Sequence, residues 1–478
     1  MKAKKYLIPA VLFVVVFCAA WALQRYTLVL MEATGLFLWT PDWLRETFSE
    51  CRPVSHFVAS FLVQFYAVPV LGALITAALV TLIFVSLSTL LSRLGLLPHR
   101  LAAVLAAVAV WVVTAFQPDN SVLVSATLYS LAAAGLSLLL KKKELRERPV
   151  WEAWAAMGVI LLGGILLAVL PKVRETERMA QVQLCARNGQ WSKVLKAATP
   201  EACRKDSRLM PYAFLALSGE GQLGDRLFHY PVTGPQDFDR EGDLSQEGYL
   251  FNSLLYEQLG SPNEALHNLF QFSCHLPHGL SHLSLYQMIR YNMEAGNYTL
   301  VRKYADILRH NPRSSRMARQ VLARVAGLPD ERRDTLGHSS ARARVFSKNR
   351  PDFNLAQLEL SGVSTPLGMD RFLAYLLLNA DLPGFANTTS RLTWTSGKLP
   401  VHYQEALLLA GVDGESAGAS AQLQEKFADF LSALQAQDNE KVKALTEGTY
   451  WAYYLMLQDR VAEEMLSRIP PHEDLPVN

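Results

Sequence analysis

The placement of apolar runs constrains this chain most: every stretch long enough to cross about 30 Å of hydrocarbon lies before Pro171. From Lys172 onward charged residues are spread densely. The chain is therefore written for two solvents, although its averages of 50% hydrophobic and 19% charged residues suit an ordinary globular protein. The net charge of +3 offers no concentrated basic surface, so neither nucleic acid nor nucleotide is expected as a partner.

Five spans are predicted, at about 6–23, 70–91, 101–116, 121–140 and 151–170. The first follows the basic start Met1-Lys-Ala-Lys-Lys5 and also resembles a signal peptide, with Ala20-Trp21-Ala22 as a small-residue cleavage site. A retained span and a cleaved leader both deliver the chain to the same side. Phe17 stands where a lipoprotein site needs a small residue, so Cys18 is not read as lipidated. The apolar run from Phe57 to Leu91 would be about 50 Å long as a helix, too long for one straight span. Pro69 is the expected break, leaving an aromatic segment from Phe57 to Tyr66 near the interface. Gln117-Pro118-Asp119-Asn120 supplies turn chemistry between the third and fourth spans. Alanines 102, 103, 106 and 107, with Gly158, Gly163 and Gly164, allow close helix approach.

Lys and Arg set the orientation. With the N-terminus inside, the cytoplasmic segments carry Lys2, Lys4 and Lys5, then Arg93 and Arg100, then Lys141, Lys142, Lys143, Arg146 and Arg148. The first outer loop carries Arg25, Arg45 and Arg52, and the second none. An odd number of spans places everything after Leu170 outside, in the periplasm of a bacterium with an outer membrane.

In the first outer loop Thr40-Pro41 reads as an N-cap followed by proline at the first helical position, opening a short helix to about Glu50. That helix would rest Trp39, Trp43, Leu44 and Phe48 in the headgroup layer beside Asp42, Glu46 and Glu50. In placement the three acids resemble the catalytic acids that multispan polyprenyl-sugar glycosyltransferases carry in their first outer loop. An interfacial helix with a solvated acidic face is the plainer reading, and no charged residue marks a substrate path through the bilayer core.

Beyond Lys172, turns recur at Gly189, Gly224, Gly260 and Gly296, with spacings of 35, 36 and 36 residues. A period near 34 marks tetratricopeptide-type helix pairs, each too small to bury its own apolar face without a neighbour. In the fourth unit Leu283, Tyr286, Ile289 and Met293 precede the turn, and Tyr298, Val301, Ala305 and Leu308 follow it on one stripe. Arg309 and His310 suit the end of that helix, and Pro312 stops it. Ser261-Pro262-Asn263-Glu264 reads as a capping box. The expected organisation is a transmembrane domain at 1–171, tetratricopeptide-like hairpins at 172–312, a basic connector at 313–350 and a C-terminal helical region at 351–478. Helical patterns in the last part run over Phe372–Leu378, Tyr403–Leu409, Gln422–Leu434 and Tyr450–Leu457, and no alternating strand pattern competes with them.

Gly219-Glu-Gly221-Gln-Leu-Gly224 spells a dinucleotide fingerprint, but a helical stretch precedes it where that motif needs a strand, so it reads as a turn. His275, His278 and His282 cluster in a connection with no carboxylate nearby in sequence, and no metal or cofactor is assigned to them. The five cysteines make no C-x-x-C pair. Outside the cytoplasm Cys185 and Cys203 are able to close a short loop, although small buried side chains are the simpler reading. No hydrolase, zinc-protease or phosphate-loop motif occurs, so no catalytic residue is named.

The segments Phe61-Leu-Val-Gln-Phe-Tyr66, Gly72-Ala-Leu-Ile75, Leu399-Pro-Val-His-Tyr-Gln-Glu-Ala406 and Thr449-Tyr-Trp-Ala-Tyr-Tyr454 resemble an uncharacterised family of Bacteroidetes-type membrane proteins. Its members combine several N-terminal spans with a repeat-containing C-terminal domain. The resemblance implies an envelope location and carries no activity. The expectation is an all-α protein of the inner membrane whose periplasmic repeat domain binds an envelope protein or peptide partner. The rival is an envelope enzyme or transporter acting on a lipid-linked glycan at the outer face of that membrane.

Overall fold

The computed structural model describes residues 3–49, 53–96, 98–117, 119–139, 150–238, 240, 242–276, 279–330, 366–392 and 399–467, and all regular structure among them is helical. The helices are α1 (Ala3–Leu23), α2 (Arg25–Thr34), α3 (Pro41–Ser49), α4 (Pro53–Val63), α5 (Pro69–Leu94), α6 (His99–Thr114), α7 (Ser121–Ser137), α8 (Val150–Val169) and α9 (Pro171–Arg187). They continue as α10 (Trp191–Ala197), α11 (Pro200–Lys205), α12 (Met210–Gly219), α13 (Leu223–Arg226), α14 (Gln246–Gln258), α15 (Pro262–Cys274), α16 (His282–Glu294), α17 (Tyr298–Leu308) and α18 (Ser315–Arg324). The last six are α19 (Pro366–Leu378), α20 (Leu382–Ser390), α21 (Val401–Leu409), α22 (Ala421–Gln435), α23 (Asn439–Thr446) and α24 (Tyr450–Ser467).

The chain divides into two compact units. The first joins Met1–Leu184 to Leu269–Thr335, and the second joins Cys185–Asn268 to Leu336–Asn478. None of the three boundaries between them falls at the expected break after 171. Helices α16 to α18 belong with the apolar helices, because His282, His310, Asn311 and Arg313 hydrogen-bond to the segment between α1 and α5. Residues 315–324, expected in a basic connector, form α18, while residues 331–350 lie outside the described residues.

In the first unit, three helices among the described residues are long and apolar enough to cross a membrane: Tyr6–Leu23, Pro69–Leu94 and Trp151–Val169. Proline opens α5, and Gly95 closes it at φ 74°, a left-handed conformation that costs glycine no Cβ clash. The expected spans at 101–116 and 121–140 are helices of 16 and 17 residues, below the usual ~20 for a full crossing. All five helices nevertheless share one buried cluster that includes Leu12, Ala77, Ala107, Leu123 and Ile160. Small residues set the approach. A Cβ added at Gly163 would stand 2.5 Å from Val108 Cγ1, and one at Gly164 would stand 3.1 Å from Val15.

The second unit packs around Phe214, Phe238, Phe251, Tyr403 and Trp451, all of which are fully buried. Gly189, Gly260 and Gly296 adopt φ between 64° and 74°, as the expected turns require. The second expected turn moves from Gly224 to Gly221, which has φ 66°. Gly224 lies inside α13, where a Cβ would come within 2.6 Å of Pro400. It is a packing glycine, a role that spacing alone does not distinguish from a turn.

Candidate functional site

In the first unit a polar node joins the segment between α1 and α5 to α16–α18. Helix α2 carries Glu32 near its C-terminal end, 3% exposed. Arg313, just before α18, pairs with the Glu32 carboxylate. Burial pushes the Glu32 pKa upward, opposed by the Arg313 charge and hydrogen bond. Helix α16 begins with a reciprocal capping box between Ser281 and Ser284, which fixes the start of the helix and with it His282. The His282 backbone N–H donates to Gly35 O at 3.0 Å, its Nε2 lies 2.6 Å from Ser314 Oγ, and its Nδ1 lies 3.7 Å from Glu32 Oε1. Burial first, and Arg313 second, lower the imidazole pKa to about 4, so the ring is neutral at pH 7.

Asn311 completes the node. Its Nδ2 donates to Phe37 O at 3.0 Å and to Gln64 Oε1 at 2.6 Å, while its Oδ1 accepts from the backbone N–H groups of Arg313 and Ser314. Trp39 N–H also donates to His310 O at 3.0 Å.

Serine, histidine and carboxylate thus stand in the order of a hydrolytic triad. Three features turn the arrangement toward structure. The 3.7 Å gap is too long for a hydrogen bond to orient the ring, and Glu32 is engaged by Arg313. Ser314 is 5% exposed, which bars a substrate carbonyl. The adjacent backbone N–H groups of residues 313 and 314, natural oxyanion donors, are spent on Asn311. What the node can do is lock two segments some 280 residues apart in sequence, since Glu32 and Arg313 are separated by 281 positions.

The second unit has its own node, built from two of the quoted segments. Glu405, 2% exposed, holds His402 Nδ1 at 2.9 Å and accepts Tyr450 N–H at 2.8 Å, capping α24. Its backbone carbonyl accepts Trp451 Nε1–H at 3.0 Å. Tyr403 donates to Asp370 Oδ1 at 2.6 Å, and burial raises Asp370 to about 6. Arg371, 1% exposed, donates to Phe238 O and lies 4.0 Å above the Phe238 ring. His229 faces His402 with ring centroids 5.4 Å apart, and burial lowers its pKa ahead of the His402 charge. Among the described residues no group of three His, Cys, Asp or Glu side chains is placed to hold a metal ion.

The other two quoted segments meet in the first unit. Tyr66, 1% exposed, accepts from Asn120 Nδ2 at 2.5 Å, and a Cβ at Gly72 would lie 3.2 Å from the Tyr66 ring. A family model matches residues 1–173 and 170–457, so it reaches all four segments. The chain belongs to DUF6057, a family of unknown function. No curated protein and no solved structure matches the chain.

The DUF6057 chain distributes the sequence-derived candidates differently from the expectation. Asp42 and Glu46 project from the exposed side of α3, and Asp42 meets only a weak ion pair with Arg45 at 3.9 Å, both side chains more than 80% exposed. Glu50 lies outside the described residues. Trp43, expected among headgroups, is instead 4% exposed and packs edge-on against Phe37 at 4.9 Å. Of the three histidines, His275 is exposed and His282 belongs to the node, while His278 lies outside the described residues. Gly219 ends α12, where a Cβ would stand 2.5 Å from Trp191 Nε1, so the G-x-G-x-x-G is a packed turn between helices. Cys185 and Cys203 are buried and not joined by a disulfide, so the loop closure is not made. Glu32, Arg313, Asn311 and Glu405 were not singled out in sequence. A carboxylate at the end of a short helix gives no local sign that its partner lies in a distant unit of chain.

Proposed function

We propose that this chain is a membrane-anchored module of a Bacteroidetes-type cell envelope whose tetratricopeptide-like helix pairs bind a protein or peptide partner in the periplasm. In this reading five helices span the inner membrane, with the N-terminus in the cytoplasm. Helices α6 and α7 are short, yet they pack into the cluster of the three longer spans and expose Leu105, Val113, Tyr129 and Leu131 outward, as lipid-facing helices do. The bias of Lys and Arg toward the inner segments supports the orientation. Positive-φ glycines at 189, 260 and 296, between successive helices, support the repeat reading.

The observation that carries the proposal is the lock at Glu32, Asn311 and Arg313. It seats α16–α18 on the first outer loop, as expected of a scaffold that must hold a binding surface at a fixed height above a membrane. The glycan enzyme or transporter gains no comparable support, because Asp42 and Glu46 stand on the exposed side of one short helix. A photo-reactive residue at Tyr286 or Phe270, both more than 40% exposed, tests the proposal in living cells. Discrete crosslinked protein species are expected. Irradiation that yields none from either position, with the chain at normal abundance, counts against the module.

A further inference from the structure

Helix α3 sorts its residues into three environments. At about 100° per residue, Trp43 and Thr47 share one face, Asp42, Arg45, Glu46 and Ser49 a second, and Leu44 and Phe48 a third. The first face is buried and the second is exposed and polar. The third is apolar, with Phe48 51% exposed. A helix lying between a core and water needs only two faces; an exposed apolar third calls for a third medium.

The neighbours of Phe48 extend that face. Phe57 of α4 touches both Phe48, at 6.0 Å between centroids, and Trp39, at 5.9 Å. Trp39 is 55% exposed, and Val54, one turn before Phe57, is 56% exposed. Left in water, large apolar side chains such as these forgo the stabilisation that burial would bring. The level of α4 identifies the medium. Ala59 lies in the same buried cluster as the spans, Val58 and Leu62 pack against that cluster, and α4 runs alongside α7. A helix that shares the core of a membrane bundle is surrounded on its outer side by lipid.

We infer that α3 and α4 form an interfacial foot, which seats Trp39, Phe48 and Val54 at the boundary between headgroups and acyl chains of the outer leaflet. This deepens the membrane reading and rests on it. Asp42, Arg45 and Glu46 then face water above the headgroups, and through the Trp39 N–H bond to His310 O the foot fixes the height of α17 and α18. The partner is a lipid surface; the mixed charge of the polar face gives no preference for an anionic one.

The test uses the full chain reconstituted in phosphatidylcholine vesicles, with Cys18, Cys51 and Cys274 replaced by alanine. A fluorophore is attached in turn to Phe48→Cys, Val54→Cys, Glu46→Cys and Leu161→Cys. Quenching is read from lipids carrying a nitroxide near the headgroup, from lipids carrying it near the chain end, and from aqueous iodide. Loss of fluorescence at 48 and 54 with the shallow nitroxide, and at 46 with iodide alone, is the expected pattern. If 48 and 54 follow 46 while 161 responds to the deep nitroxide, the foot is refuted and the spans stand. If 161 also responds only to iodide, the membrane reading fails and takes the foot with it. Val54→Cys gives the same readout from the other helix should Phe48→Cys fail to fold.

Discussion

His282 has three neighbours at once: Ser314 accepts or donates at Nε2, Glu32 lies beyond Nδ1, and the Arg313 charge stands nearby. Its pKa of about 4 in the folded chain lies below the ordinary 6.5, so between those values the unfolded chain binds more protons. Stability from this residue is therefore present above pH 6.5 and is lost as pH falls toward 4. Glu32 acts in the opposite sense, because its pKa is raised: its contribution is greatest at acid pH and declines as pH rises through the folded value. His282→Gln keeps an amide nitrogen within reach of Ser314 but does not titrate. The stability gap between wild type and His282→Gln should therefore change by on the order of 3 kcal/mol between about pH 7 and about pH 4, with the variant gaining at the acid end. Thermal unfolding of the detergent-purified chain at the two pH values measures it, and parallel curves would contradict the buried neutral imidazole. The residue's part in the lock was not legible in sequence, where His282 reads only as the last of a histidine trio. Burial and the Arg313 charge come from elements that spacing does not connect to it.

Among the described helices, five N-termini are satisfied by carboxylates from elsewhere in the chain, one of them α17, where Thr299 N–H donates to Asp330 Oδ1 at 2.7 Å. Glu177 accepts the N–H groups of Tyr26 and Thr27 at 2.7 and 2.9 Å and the Thr27 hydroxyl at 2.8 Å, holding the start of α2. Glu152 accepts from Arg100 and Leu101 at the start of α6, Asp225 from Val401 at α21, and Glu405 from Tyr450 at α24. Each meets donors that the helix itself leaves unpaired, and each negative charge sits at the positive end of the helix dipole. Glu177→Ala strips three donors of their acceptor, so the chain should lose about 2 kcal/mol. Hydrogen exchange should then speed up first at Tyr26 and Thr27; unchanged protection there would disprove the cap. These caps explain why some elements were readable and others were not. Helices α3 and α5 announce themselves through Pro41 and Pro69, and the turns at Gly189, Gly260 and Gly296 through glycine within a period, because the signal is local. Helix α2 has no proline and no side-chain cap of its own, and its start depends on Glu177 some 150 residues away. It was missed for that reason.

At the level of the whole molecule, the apolar pattern was the most legible property, since three expected spans recur nearly residue for residue as Tyr6–Leu23, Pro69–Leu94 and Trp151–Val169. The division into units was not legible, because it depends on the lock between the segment joining α1 to α5 and residues near 311, whose polar side chains look like ordinary surface in sequence. That lock makes topology testable with the protein's own thiols. Cys274 is exposed on α15, Cys185 and Cys203 are buried, and Cys18 lies within the first apolar helix. In a Cys51→Ser background, a membrane-impermeant maleimide added to intact spheroplasts should therefore react at Cys274 and not at Cys185 or Cys203. Glu440→Cys, exposed in the first turn of α23, should react equally well if the proposed five spans put both positions on the outer side. Reaction at both only after detergent lysis would reverse the orientation. Reaction at one and not the other would mean that a further crossing separates them, and five spans would be the wrong number. Labelling of both in intact spheroplasts directs the search for a partner to the periplasm, and the crosslinking positions at Phe270 and Tyr286 then lie in the compartment where that partner must be sought.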